Sequence, residues 1–385
     1  GTQEDPYCTI QSGLDAAGNG DTVEVAPGTY LENLVFPTDP DIILISSTGP
    51  EVTIIDGSAA AAPTIKLWAT NQTNATVING FTITGGSGWM PGNGGGGLLL
   101  YQASPTVSNN LIKGNNSVGH GGGVYSRENS AILTNNLIMD NTAASGSVGG
   151  GIFLQENTGL TARGCTITNN SAGVAGDGVF VLATIVPVLI DNSIIYGNGL
   201  SGDDNEIYIQ SNGEVTIRHS LVEGGLSGIH VGGSIPVDWD ETTNLDVDPE
   251  FVDPENGNYH VELCSPVVDM GDPEYVPAKD ETDIDGEPRL MDLAVDIGSD
   301  EVDRSALPDS NENGIPDECE CLADLSGDGA VEAFDLAILL GAWGPCPDPC
   351  KPGDPADTCA ADLSGDCGVE AFDLAILLGA WGPCS

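Results

Sequence analysis

Ile112-Lys-Gly-Asn115-Asn-Ser-Val-Gly-His-Gly121-Gly-Gly-Val124 returns as Ile138-Met-Asp-Asn141-Thr-Ala-Ala-Ser-Gly-Ser-Val-Gly149-Gly-Gly-Ile152, and more loosely as Ile167-Thr-Asn-Asn170 followed by Gly176-Asp-Gly-Val179. Each copy has an apolar marker, an asparagine three residues on, and a glycine patch that opens a second apolar run. Outward from this stretch the markers continue as Ile55, Ile83, Ile112, Ile138, Ile167, Ile195 and Val222, separated by 28, 29, 26, 29, 28 and 27 residues. Asn198 and the run from Gly94 to Leu98 extend the other two features. Short β-branched runs broken by Gly and Asn at this spacing predict a solenoid of strands, one coil per repeat. Gly and Asn accept positive φ at the corners while Val, Ile and Leu point inward. Coils about 4.8 Å apart make seven to ten of them a rod roughly 35 to 50 Å long. Equivalent asparagines stack and hydrogen-bond from coil to coil, which reads as corner-making rather than chemistry.

Nine basic against 58 acidic residues give a formal net charge of −49. Repulsion excludes nucleic acid and anionic membrane surfaces as partners. Hydrophobic residues at 40% of 385 allow a sizeable core and two or three domains. Acid is concentrated from Asp238 to Glu320. The longest apolar runs are too short to span a membrane, so no membrane insertion is expected. Gly1-Thr2-Gln3 shows no signal peptide, and a chain beginning without Met is read as already processed.

The C-terminal 65 residues carry one phrase twice: Asp324-Leu-Ser-Gly-Asp328-Gly-Ala-Val-Glu332-Ala-Phe-Asp335 returns 38 residues later as Asp362-Leu-Ser-Gly-Asp366-Cys-Gly-Val-Glu370-Ala-Phe-Asp373, each followed by an apolar run ending in Trp-Gly-Pro-Cys. Ca²⁺ takes six to eight hard oxygens, which a 12-residue loop supplies from positions 1, 3, 5, 7, 9 and 12. The first set is Asp324, Ser326, Asp328, the carbonyl of Ala330, Glu332 and Asp335. The second is Asp362, Ser364, Asp366, the carbonyl of Gly368, Glu370 and Asp373, with Cys367 at the sixth position where glycine is usual. A third candidate precedes them: Asp309, Asn311, Asn313, the carbonyl of Ile315, Asp317 and Glu320, with Gly314 at position 6; a polar linker is the alternative. Two or three Ca²⁺ ions are expected.

Seven of the ten cysteines lie between Cys319 and Cys384. In so small a segment they point to disulfides and an oxidising, extracellular space. Pairing within repeats (Cys321 to Cys346, Cys359 to Cys384) and pairing between them are equally compatible with the sequence. No CxxC pairs with another, which disfavours zinc.

The duplicated loop and helix resemble a dockerin, and the third loop is similar to the calcium repeats of thrombospondin-type linkers. The dockerin resemblance implies a cohesin-like partner faced by loop positions 10 and 11, here Ala333, Phe334, Ala371 and Phe372, and by the following helices up to Trp343 and Trp381. A small-domain core is the competing role for these aromatics. The body resembles the right-handed parallel β-helix proteins of the pectin-lyase-like superfamily. At its start, Thr9-Ile-Gln-Ser-Gly-Leu-Asp-Ala-Ala17 implies a capping helix before Gly20-Asp-Thr-Val23. At its end, Asp283-Ile-Asp-Gly-Glu-Pro-Arg289 and Asp296-Ile-Gly298 imply closing elements. The expected architecture is all-β: a β-helix solenoid over 1–302, a calcium-binding linker over 303–320 and a small α-helical dockerin-like module over 321–385.

That superfamily holds lyases, hydrolases and adhesins, so fold does not decide chemistry. A lyase needs Ca²⁺ on an acidic cluster beside an Arg or Lys. Lys66, Lys113, Arg127, Arg163 and Arg218 sit on separate coils with no acidic cluster expected beside them. Gly119-His120-Gly121 and Asp203-Asp204 match single elements of the hydrolase branch, and His219, His230 and His260 suggest no triad or metal set. No catalytic residue is assigned. The expected function is an extracellular or cell-surface structural or adhesive rod, forming homo-oligomers or fibres or docking to a cohesin-like protein, with a polysaccharide as a further ligand. The alternative is a secreted polysaccharide lyase or glycoside hydrolase.

Overall fold

A computed structural model describes residues 5–69, 71–88, 94–182, 186–199, 205–210, 213–232, 237–308, 314–316, 319–321, 323–326, 330–346, 359–364 and 366–383. The chain divides into two compact units, Gly1–Val302 and Asp303–Ser385.

Unit 1 is a solenoid of three parallel sheets. The first has nine strands from Thr22–Val25 to Val237–Trp239; the second has eight from Gly28–Tyr30 to Leu221–Val222; the third has eight from Leu34–Val35 to Ile229–Val231. The repeat markers occupy one register in the second sheet: Ile55 opposes Ile83, and the series continues through Ile112, Ile138, Ile167 and Ile195 to Val222. Every one of them is fully buried, so the period read from sequence is the length of a coil. In the third sheet Leu98, Val124, Ile152 and Val179 are likewise in register. The glycine patch before them exists because coils approach closely there. A Cβ at Gly122 would stand 2.3 Å from the Gly150 carbonyl oxygen, and one at Gly150 2.4 Å from that of Asp177.

The asparagines form the expected ladder. The Nδ2 of Asn115 donates to Asn141 Oδ1 (2.9 Å), Asn141 to Asn170 (3.0 Å) and Asn170 to Asn198 (2.9 Å), and Asn198 donates to the buried Glu206 carboxyl (2.6 Å). These residues do not themselves make the turn. Positive φ falls on the residue before each: Gly114, Asp140, Asn169 and Gly197. A second set of left-handed corners, Asn109, Asn135, Gly164, Asn192 and His219, joins the first sheet to the second.

Helix Ile10–Ala16 buries Ile10 and Leu14 on the first coil, with Thr9 as N-cap and Glu32 accepting from the backbone N–H of Ile10 and Gln11. At the other end the chain doubles back. Phe251–Asp253 pairs antiparallel with Asn258–Val261, and the closing segment up to Val302 covers the outer face of the second sheet. Val261, Val267, Val268 and Ile297 pack on Ile194 and Leu221, while Tyr259 and Ile284 pack on Leu137 and Met139. Arg289 is almost fully buried, pairing with Glu301 and donating from Nη2 to the carbonyls of Asp296 and Gly298.

Unit 2 holds two nine-residue helices, Ala333–Gly341 and Ala371–Gly379, each preceded by a short strand. Ala330–Val331 pairs with Gly382–Pro383, and Gly368–Val369 with Gly344–Pro345, so each repeat completes the other. The buried apolar set is Ala323, Val331, Leu339 and their repeats Ala361, Val369 and Leu377. The Cys346–Cys359 disulfide joins one repeat to the next, which excludes the within-repeat pairs Cys321 to Cys346 and Cys359 to Cys384. Cys264, Cys319, Cys321 and Cys367 are also disulfide-bonded, Cys8 and Cys165 are free, and Cys350 and Cys384 lie outside the described residues. Among the described residues no helix is long and apolar enough to cross a membrane.

Candidate functional site

Polar chemistry in unit 1 gathers where the first sheet turns into the second. Arg163, Asp191 and Arg218 occupy the same register position on three successive coils. The fully buried Asp191 accepts from Arg163 Nε at 2.9 Å and lies 3.4 Å from Arg218 Nε. His219, at the corner, places Nδ1 3.9 Å from Asp191 Oδ1 and 4.0 Å from Asp272 Oδ2 of the closing segment. The Arg163 guanidinium also lies 4.6 Å from the Tyr275 ring centroid. The expectation that no acidic cluster stands beside the body's basic residues is therefore corrected at Arg163 and Arg218, where Asp191 and Asp272 meet His219. The repeat itself held the signal, because residues 163, 191 and 218 are separated by 28 and 27, the coil period. Only the arrival of Asp272 from a non-repeating segment was illegible.

Asp191 Oδ1, Arg218 Nε and His219 Nδ1 are buried without a hydrogen-bond partner. A cation here would face the Arg218 N–H, and Asp191 is already shared by two guanidiniums, so the donor set suits a metal poorly. Burial works to lower the Arg163 pKa, but the charge and hydrogen bond of Asp191 outweigh it and hold Arg163 above its ordinary value. That keeps Arg163 protonated and leaves even less of the neutral guanidine, the form able to accept a proton, than a free arginine has.

His260 was likewise expected to support no triad or metal set. Its Nε2 instead lies 2.7 Å from Asp285, with Asp300 close by. The Asp285 hydrogen bond raises His260 to about 9, and burial raises Asp300 to about 6. His120 packs on Phe153 at 4.8 Å between centroids and accepts from the Val148 N–H; burial lowers its pKa. His230 stacks on Tyr208 at 4.3 Å. Both are packing residues, and Asp203 and Asp204 lie outside the described residues.

In unit 2 the second loop is described except for Gly365. Asp362 accepts from the backbone N–H of Asp366 (3.2 Å) and Cys367 (2.7 Å), Ser364 Oγ donates to Asp362, and Asp366 accepts from Gly368. Cys367 adopts φ +72°, the left-handed turn usually left to glycine. Asp373 closes the loop, accepting from the N–H of Ser364 (2.8 Å) and of Glu370 (2.7 Å). Despite the burial that works to raise it, these bonds hold Asp373 below the usual carboxylate range. Asp335 repeats this closure, accepting from Glu332 and Ser326 at 2.8 Å, and Ser326 Oγ donates to Asp324. Asp328 lies outside the described residues, as do Asp309, Asn311, Asn313 and Asp317. Gly314 has φ +89°, and Ile315 and Glu320 are described beside it. Among the described residues, three-member groups of His, Cys, Asp or Glu ligand atoms within 4.8 Å are Asp191, His219 and Asp272, and His260, Asp285 and Asp300; Asp362, Asp366 and Asp373 do not form one.

Aromatic placement in unit 2 departs from the small-core alternative. Phe334 and Phe372 are 61% and 64% exposed, and Trp343 and Trp381 each 48%. Leu340 and Leu378 are exposed beside them, while Ala333 and Ala371 open the two helices.

The right handed beta helix region family model matches residues 42–237, just over half of the chain, and the chain belongs to that family. Among solved structures, the chain is similar to the pectin methylesterase from carrot, at 13% identity over 60% of this chain and 74% of that one, with a TM-score of 0.33. It is also similar to the pectate lyase Pel9A, at 12% identity over 76% and 90%, with a TM-score of 0.38. No curated protein matches it.

Proposed function

We propose that this chain is an extracellular calcium-binding β-helix protein that unit 2 docks to a cohesin-like partner or to further copies of itself. The observation that carries this is the repeated exposure of Phe334, Leu340 and Trp343 and of Phe372, Leu378 and Trp381. Two equal apolar faces on a very acidic chain suit an interface better than free surface. The loops' residue types suit a hard divalent cation: in sequence the oxygen-bearing residues occupy the required positions and position 12 is a carboxylate in both, and the sixth residue of the second loop takes the required turn. Bound Ca²⁺ would supply positive charge beside these faces and fold energy to the loops. The disulfides support an oxidising compartment. Light scattering of the full chain in millimolar calcium tests the docking: ordered oligomers, or a captured cohesin-like partner, are expected, and both should be lost when Phe334 and Phe372 are replaced by Ser. A double variant that assembles unchanged removes the faces as connectors.

A second reading, polysaccharide cleavage by unit 1, has the pectin-lyase-like character of the fold behind it. One local observation favours it: the Arg218, His219 and Asp191 atoms left without hydrogen bonds at the coil corner. The test is release of unsaturated or reducing ends from pectate, alginate or neutral glycans with and without calcium. Activity abolished by His219→Ala or Arg218→Met would establish this reading; a product-free assay across the panel removes it.

A further inference from the structure

A cavity of about 320 Å³ opens in unit 1 between the ends of the second-sheet strands and the closing hairpin. Its walls are aromatic. Phe251 stands 5.1 Å from Tyr259 at an interplanar angle of 89°, and 6.3 Å from Tyr196 at 76°. These three rings, packed edge-to-face on one another, line the cavity together with Pro254. The polar lining is acidic or neutral: Asp248 and Glu250, with Thr168 and Asn169 beside them, and no Lys, Arg or His. The surrounding field is negative too. Burial first, then the charges of Asp248, Glu223, Glu206 and Asp246, raise the Tyr196 phenol, and Asp140 adds to burial in raising Tyr259.

Each feature selects the ligand. Aromatic rings and carboxylates with no cationic side chain lining the cavity attract a cation. A bare metal ion would gain little from three rings and keep its water. An acidic sugar would be repelled by Asp248 and Glu250, and a neutral one would leave their charges unanswered. What fits all of them is a positive charge with an apolar skin.

We propose that this cavity binds an alkylammonium group, either of a small amine or of a lysine side chain on a partner. The rings surround the methyl or methylene groups and the two carboxylates balance the charge. This site is lined by unit 1 residues alone, shares none with the coil corner, and does not depend on either reading of the function.

Calorimetric or NMR titration of the full chain in calcium, with three probes, tests it. The probes are choline chloride, its neutral carbon isostere 3,3-dimethyl-1-butanol, and N-acetyl-lysine amide. Choline or the lysine derivative should bind, the tighter of the two identifying the source, and the neutral isostere should bind at least about tenfold more weakly. Phe251→Leu should weaken the better ligand by about five- to tenfold. Glu250→Gln, which keeps shape and removes charge, should weaken it less and reduce its salt dependence; it also serves as the test if Phe251→Leu unfolds. Equal binding of the isostere, or no response to either amine at about 50 mM, well above the millimolar range of weak ligand sites, overturns the proposal.

Discussion

Unit 1 and unit 2 solve the same problem with opposite materials. In unit 1 apolar side chains from three sheets meet in one continuous core, and buried amides answer each other from coil to coil. Where acid is buried there, as at Asp191, Glu206 and Glu301, it faces an arginine, an amide or a neighbouring carboxylate. Among the described residues, unit 2 has six buried apolar residues, two of them alanines, and surrounds them with carboxylates that face backbone N–H groups. A core that small does not offset the entropy of ordering its loops without disulfides or bound metal. The difference teaches where this chain is conditional: the solenoid is fixed by its own packing, the tail by its surroundings.

The largest expected effect breaks the comparison in two. On the proposed calcium binding, chelation should unfold the tail loops while the solenoid survives, since loops that fold around an ion lose that folding energy with it. Limited proteolysis with mass mapping should show cuts confined to residues 309–385. Equal resistance with and without calcium would mean that the tail is as self-sufficient as the rod. Asp324→Ala with Asp335→Ala should reproduce the chelator's effect on the first loop.

Within unit 1, Arg289→Met should cost about 3 to 5 kcal/mol, because it strands the buried Glu301 and two carbonyls. Urea unfolding followed by a unit 1 signal measures it. A smaller effect comes from Glu206. Burial, with a hydrogen bond to Glu223, raises its folded pKa to about 8. The folded state therefore holds a proton that the unfolded chain has lost above its ordinary carboxyl pKa. Stability from this group is full below about pH 4 and falls as pH rises through about 8, by a total on the order of 2 to 4 kcal/mol. Glu206→Gln should flatten that slope, and an unchanged slope would place the titration elsewhere. Smallest of all, Phe334→Ser should alter the stability of unit 2 by no more than about 0.5 kcal/mol, because the side chain is already in solvent. A larger loss by thermal unfolding would put Phe334 in the core after all.

What repeats was legible, and what does not repeat was not. The markers from Ile55 to Val222 and the asparagines from Asn115 to Asn198 declare coil length and stacking because each position meets its own equivalent one coil on. The capping helix and the Asp283 to Arg289 motif were recognisable by resemblance. Arg163, Asp191 and Arg218 lay within reach of the same arithmetic, but only once residues on outward and corner positions are advanced by a coil as the core ones were. Asp272, Tyr259 and Phe251 had no such clue. Their partners are set by how a single segment lies across many coils, at sequence separations that no period links. Phe334 and Trp343 stayed open between a partner-facing and a core role for another reason: composition says a helix is apolar all round, and only packing says which side remains uncovered.

The closing segment has a consequence for how this rod can change over generations. It contacts one coil after another: Thr282 at Asn109 and Asn135, Ser299 at Thr166, Gly271 to Asp272 beside Asn192, and Val261 to Val268 at Leu221. A solenoid ordinarily lengthens by copying a coil, since each new turn rests only on its neighbours. Here a copy inserted between Asn109 and Leu221 would carry half of these contacts a full turn out of reach. Duplication is tolerated only ahead of Asn109, towards the capping helix, so relatives of different length should vary at that end and keep the clasped coils constant in number.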